Sequence, residues 1–212
     1  MPAPSALAVA FEVDGDGWCL QARRQPSPNF DARAVETSPD LLVIHNISLP
    51  PGEFGGPYID GLFCNTLDCD SHPYFDQLRA LRVSAHFLVR RDGEVVQFVS
   101  ANARAWHAGV SRFHDRERCN DFSIGIELEG SDFVPFEHAQ YAALTQLTAA
   151  LQRRYRLTDV AGHADIAPGR KTDPGPFFDW ARYRQNLHGL SETAQLRVAS
   201  GVEGSQAANA EK

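Results

Sequence analysis

Three residues far apart in the chain have the types of a single metal site: His45 in LLVIHNIS, and His163 and Asp173 in GHADIAPGRKTDPG. Two imidazoles and one carboxylate leave one position of a tetrahedral zinc ion open for water, which is the arrangement of a catalytic centre. These ligand types suit Zn2+, which brings no redox chemistry of its own. Lys171 precedes Asp173 by two positions, and FSIGIELEG adds Glu127 and Glu129. Metal, carboxylate and cation together suggest hydrolysis of an amide. The bare triple is weak, because eight histidines offer such combinations by chance. On burial alone, His45 reads equally as a metal ligand or as a satisfied core histidine. The company of the other two strengthens the metal reading. The Pro- and Gly-punctuated segment can curl His163 and Asp173 toward one point.

Glu127 and Glu129 share one face of an extended segment, since side chains alternate with period two. The other face is apolar, so both carboxylates can simply face water. Glu127 lies further inside the strand, between Ile126 and Leu128. A carboxyl group there can have a raised pKa and serve as general base and acid. Trp106 and His107 form a second patch, suited to stacking on a sugar or lining a peptide groove. A partly buried structural Trp is an equal reading. Asn46 and Arg82 adjoin the candidate segments. An amide can bind a peptide group, and a guanidinium can hold a carboxylate bidentately. His86, in RVSAHFLV, reads as core or as support for the site.

The elements that must carry these residues follow from periodicity. Residues 41–48 read as a buried strand that begins with a continuous apolar run, Leu41 to Ile44, closed by His45. Residues 74–82 read as a helix started by Pro73. Residues 83–89 and 94–99 read as strands around the turn RRDG, and 105–110 as a short strand or loop. Residues 121–129 read as a strand with Ile124, Ile126 and Leu128 on one face. In 136–155, Tyr141, Leu144, Leu147, Leu151 and Tyr155 form one helical apolar stripe, which reads as core packing. Residues 159–163 return to the sheet, and 178–187 form a last helix. Pro and Gly crowd residues 46–72, a loop long enough to wall the site. A hairpin together with helix-separated strands predicts an α/β (α+β) fold, a mixed central sheet flanked by helices.

At 212 residues and 43% hydrophobic composition, the chain can bury one substantial core. A net charge of −7 gives no basic stripe for nucleic acid. No run approaches the roughly 20 apolar residues of a membrane span. The N-terminal MPAPSALAVAFEVDGDGW lacks the basic flank of a secretory signal. A cytoplasmic, monomeric protein acting on a small molecule is the expectation, with no nucleic-acid or membrane partner. Four cysteines without a CxxC pair read as free, mostly buried thiols.

The blocks LLVIHNISLPPGEFGGPYIDGLF, LRVSAHFLVRRDGEVVQFV, RAWHAGVS, RERCNDFSIGIELEG and GHADIAPGRKTDPGPFFDWARYR closely resemble the zinc N-acetylmuramoyl-L-alanine amidases. That family includes phage amidases, peptidoglycan-recognition proteins and the cytoplasmic amidases of bacterial wall recycling. The resemblance runs from about Gly17 to Leu187. It implies the mixed-sheet amidase fold and zinc held by His45, His163 and Asp173. It also implies Glu127 as catalytic acid and base, and Lys171 as the group that stabilises the transition state. Asn46, Arg82, Trp106 and His107 are the candidates for substrate contact. The implied substrate is a 1,6-anhydro-muramyl peptide, cut between the lactyl group and L-alanine. A general or phage-type wall amidase and a zinc-free muropeptide-binding module are the alternatives. The domain division is a variable arm over 1–16, a catalytic domain over 17–189 and a disordered tail over 190–212.

Overall fold

The computed structural model describes residues 10–34, 37–190 and 196–199. Eleven strands occur among them. They are β1 (Arg23–Arg24), β2 (Phe30–Ala32), β3 (Leu41–Ile47), β4 (Phe87–Val89), β5 (Val95–Gln97), β6 (Ala103–Ala105), β7 (Arg112–Phe113), β8 (Arg116–Glu117), β9 (Ser123–Glu129), β10 (Asp159–Gly162) and β11 (Arg197–Val198). Seven form one sheet in the order β1-β5-β4-β9-β3-β10-β11, while β2 pairs with β6 and β7 with β8. Strands β4, β9, β3 and β10 run parallel, and β5 runs antiparallel to β4. The sheet is therefore mixed, as the sequence implies.

Leu41, Leu42, Val43 and Ile44 of β3 are all fully buried, because both faces of the parallel region are covered. On one face, Leu42, Ile44, Ile124, Ile126, Leu128 and Val160 pack against helix α2 (His138–Arg154) and helix α4 (Trp180–His188). All five residues of the predicted stripe from Tyr141 to Tyr155 are buried there. Gln140, in the first turn of α2, is also buried. Its Nε2 donates to the carbonyls of Val89 and Glu129, joining the helix to the ends of β4 and β9. On the opposite face, Leu41, Val43 and Ala161 pack against Ala108, Phe113, Cys119 and Phe122.

The segment expected as a loop over 46–72 holds a short helix, α1 (Tyr58–Phe63), which buries Ile59, Leu62 and Phe63. Its six residues are too few for helical periodicity to show, and Pro57 and Gly61 read as loop signals. The helix expected over 74–82 is instead a 3-10 turn, Pro73–Leu78, with His72 Nδ1 accepting from the Tyr74 N–H at its start. Phe75 is the buried residue of that turn, and the partly buried Leu78 packs against the same cluster. Of the expected strand 83–89, only Phe87–Val89 pairs as a strand.

Part of the segment expected as a tail, Arg197–Val198, pairs in parallel with β10. The Arg197 guanidinium holds Asp159 with two hydrogen bonds of 2.9 Å. The rest of that expected tail, apart from residues 190, 196 and 199, lies outside the described residues, as do residues 1–9 of the expected arm. All four cysteines are free thiols.

Candidate active site

Parallel strands bring their C-terminal ends to one edge of a sheet, and ligands of open parallel sheets bind beyond that edge. The register of β3 with β9 sets His45 directly beside Glu127. The register of β10 with β3 pairs Gly162 with Ile44, so His163 follows at the next position along the same edge. His163 opens helix α3 (His163–Ile166). Asp173 comes back to the site because its carbonyl accepts from the Ala164 N–H at 2.9 Å. Gly162 makes this close return possible. A Cβ built there would lie 2.7 Å from Pro174 Cδ.

The result is a triangle. His45 Nδ1, His163 Nδ1 and Asp173 Oδ2 lie 3.0 Å from one another along each side. The hydrogen bonds on the far side of each ring show which atoms face inward. His163 Nε2 lies 3.1 Å from the Ala108 carbonyl, which only accepts, so Nε2 carries the proton and Nδ1 is bare. His45 Nε2 lies 2.9 Å from His107 Nδ1. His45 is 1% exposed, and burial first, with His163 and Lys171 adding to it, lowers its pKa to about 4 against the pull of Asp173. Asp173 is held well below the ordinary carboxylate range; burial opposes ionisation, and the two imidazoles beside Oδ2 outweigh it. One nitrogen from each imidazole and a carboxylate oxygen thus converge on one point, a donor set that fits a divalent cation. Among the described residues this is the group that can hold a metal ion.

Glu127 is buried beside the triangle. Its pKa is raised well above the usual value, by burial first and by Asp173 second, with Lys171 acting in the opposite sense. Its Oε2 is buried and has no hydrogen-bond partner. A carboxyl oxygen in that state has a high proton affinity and is free to bond to something entering the site. Lys171 is exposed and lines the same cavity of about 270 Å³ as His45, Asn46, Trp106, Glu127 and Asp173.

The remaining candidates fall in different places. Asn46 donates to Asp132 Oδ1 and to the Pro174 carbonyl, joining β3 to the segment that carries Asp173. Trp106 forms part of the cavity wall, its Nε1 donating to Asp31 at 2.7 Å. His107 is buried, with both ring nitrogens in contact with protein atoms. Arg82 lies outside this cavity and donates to the carbonyls of Arg79 and Leu81. Glu129 does not face water. It is 1% exposed and accepts from the N–H groups of Gly55 and Arg91 and from Arg90, pinning the segment after β3.

Sequence reasoning missed Ser123, Gly125 and Asn120. Asn120 Oδ1 accepts from the backbone N–H of both His107 and Ala108. Gly125 leaves space for the His107 ring, since a Cβ there would lie 2.4 Å from His107 Cγ. The available signal is the alternation of Ser123, Gly125 and Glu127 in an otherwise apolar strand, which marks one face as different.

A sheet edge carrying two imidazoles, a carboxylate ligand and a second, proton-binding carboxylate has the chemistry of a metal-assisted hydrolase. The family profile described as N-acetylmuramoyl-L-alanine amidase matches residues 35–176. The chain is 60% identical over 171 residues to the 1,6-anhydro-N-acetylmuramyl-L-alanine amidase AmpD of Citrobacter freundii, covering 80% of this chain and 91% of that one. The crystal structure of a selenomethionine AmpD derivative superposes with a TM-score of 0.81 at 59% identity, covering 82% of this chain and 98% of the other. The amidase AmiD of Escherichia coli, solved with the substrate anhydro-N-acetylmuramic acid-L-Ala-D-γ-Glu-L-Lys, superposes at a TM-score of 0.51 and 34% identity, covering 84% of this chain and 65% of the other. The chain belongs to the N-acetylmuramoyl-L-alanine amidase family.

Proposed function

We propose that this amidase hydrolyses the bond between the lactyl group of 1,6-anhydro-N-acetylmuramic acid and the L-alanine of the stem peptide, with zinc, in cytoplasmic murein recycling. The observation that carries the chemistry is the triangle of bare lone pairs beside the unpartnered Glu127 carboxyl. The 60% identity with an anhydro-muramyl amidase supports the choice of substrate.

His45 Nδ1, His163 Nδ1 and Asp173 Oδ2 would hold the zinc. When bound, it supplies Lewis-acid polarisation of the lactyl carbonyl and acidifies a water. Glu127 takes a proton from the attacking water and delivers it to the alanine nitrogen as the C–N bond breaks. Transfers of this kind contribute typically about 10²–10⁴-fold. Lys171 donates to the oxygen on which negative charge develops; a comparable donor elsewhere is worth about 2.7–4 kcal/mol. Trp106 and Asn46, in the same cavity wall, contact the sugar and the peptide. Arg82 and His107 complete the set of candidate substrate contacts read from the sequence; the geometry favours neither. The reading includes a monomeric enzyme. Among the described residues, no helix is long and apolar enough to cross a membrane.

The test is mass spectrometry of a 1,6-anhydro-muramyl tripeptide incubated with the protein, with and without chelator, beside the same peptide on ordinary N-acetylmuramic acid. Chelator-sensitive peptide release, faster from the anhydro sugar, is expected. Equal cleavage of both would replace the recycling role with general wall hydrolysis. Cleavage of neither by zinc-loaded protein would leave a muropeptide-binding module.

A further inference from the structure

Behind His45 lies a second layer of polar groups on the same face of the sheet. His45 Nε2 meets His107 Nδ1 at 2.9 Å, His107 Nε2 meets Ser123 Oγ at 3.2 Å, and Ser123 Oγ meets the Cys119 carbonyl at 2.6 Å. The proton positions along this chain are determined from its far end. A carbonyl only accepts, so the Ser123 hydroxyl must give its hydrogen to Cys119. Ser123 Oγ then has only lone pairs for His107, so His107 Nε2 carries the proton. A neutral His107 is left with a bare Nδ1, which must accept from His45 Nε2–H. His45 therefore keeps its proton on the far side and presents Nδ1 bare to Asp173 and His163.

The surroundings hold His107 in this role. Asn120 Oδ1 fixes its backbone through the N–H groups of His107 and Ala108. Gly125 on β9 has no side chain where the ring lies, and a Cβ there would come within 2.4–2.7 Å of three ring atoms. Ser123 and Gly125 stand two residues apart on one face of β9, so the strand supplies both the anchor and the space.

We propose that His107 is a positioning residue: the relay Cys119 carbonyl–Ser123–His107 fixes the tautomer of His45 and so keeps its Nδ1 available to zinc. This rests on the zinc-amidase reading above. Reversing the relay would put the His107 proton on Nδ1 and the His45 proton on Nδ1, between the ring and the metal position. Both ring nitrogens of His107 are then committed to the relay, and it offers no polar atom to substrate.

The experiment compares wild type with His107→Phe, His107→Gln and Ser123→Ala as full-length, zinc-loaded proteins. Zinc affinity is read by competition with a chromophoric chelator, and folding by thermal melting. Imidazole tautomers are read from ¹⁵N shifts. Loss of such supporting partners typically costs about 10–100-fold in metal affinity. His107→Phe is expected to lose affinity in that range. His107→Gln, which carries an acceptor and a donor on one planar group, is expected to recover most of it. Ser123→Ala is expected to fall between. In wild type, His45 Nε2 and His107 Nε2 should be the protonated nitrogens. Folded His107→Phe protein with unchanged zinc affinity would overturn the proposal, as would a wild-type His107 protonated at Nδ1. If His107→Phe fails to fold, Ser123→Ala and the wild-type spectrum still decide. None of these readouts uses a muropeptide, so a wrong substrate would show only in the cleavage assay.

Discussion

Acid should weaken this fold through one residue in particular, His86. Its ring is fully buried. Nδ1 accepts from the Gly125 N–H at 3.0 Å and Nε2 donates to the Ala103 carbonyl at 3.1 Å. A neutral imidazole satisfies both neighbours, and a second proton would face an N–H. The Arg33 guanidinium stands 3.2 Å from Nε2. Burial first, and Arg33 second, lower the pKa from 6.5 to about 3. Below pH 6.5 the unfolded chain binds a proton that the folded one refuses. Stability from this group is therefore complete above about 6.5 and falls as the pH drops toward about 3. At pH 5, about 1.5 pH units below the unfolded value and at about 1.4 kcal/mol per unit, His86 alone removes about 2 kcal/mol. The variant His86→Gln can accept from Gly125 and donate to Ala103 without titrating. Urea unfolding followed by circular dichroism, in chelator at pH 7 and pH 5, should show wild type losing about 2 kcal/mol more than the variant between the two conditions. Equal losses would refute the reasoning, because the buried imidazole would then not be the group that resists the proton.

Three further outcomes follow from the geometry. Glu127→Gln should lower turnover by about 10²–10⁴-fold while zinc content stays stoichiometric, measured by product chromatography and metal analysis. Gly162→Ala pushes a methyl group against Pro174 and displaces Asp173, so zinc affinity should fall at least about tenfold, on the scale of a disturbed ligand shell; chelator competition reads it. Glu129→Leu leaves the half of Arg90 that faces it unpaired in a buried position, a change that typically costs about 3–5 kcal/mol and is read by urea unfolding.

The sequence carries the site unevenly. His163 and Asp173 sit ten residues apart in a segment whose Pro and Gly residues advertise a turn, so their meeting is legible locally. His45 beside Glu127 is not, since their adjacency depends on the pairing register of two strands, and nothing within either strand states it. The apolar stripe of α2 is plain because its partner is simply the sheet face. By contrast, α1 is too short for periodicity. Glu129 misleads: alternation assigns it the same face as Glu127 and suggests solvent, but Arg90 and the Gly55 and Arg91 amides cover it. Arg82 misleads in the other way, being next to site segments in sequence and turned onto its own loop in space. The relay behind His45 depends on Ser123, whose partners become clear only when three segments are assembled.

Strand β3 sits between β9 and β10, and His45 meets His163 across 118 residues of chain. During synthesis the apolar run from Leu41 to Ile44 leaves the ribosome long before either neighbour exists. At about 5–20 residues per second, β10 follows some ~6–24 s later. Through that interval the strand that begins with this apolar run has no native partner on its β10 side, and its hydrogen-bonding edge is open to other chains. The central strand that aligns the site is thus a segment that a nascent-chain chaperone has reason to cover, and a metal ion that needs His45, His163 and Asp173 together could bind only after the wait is over.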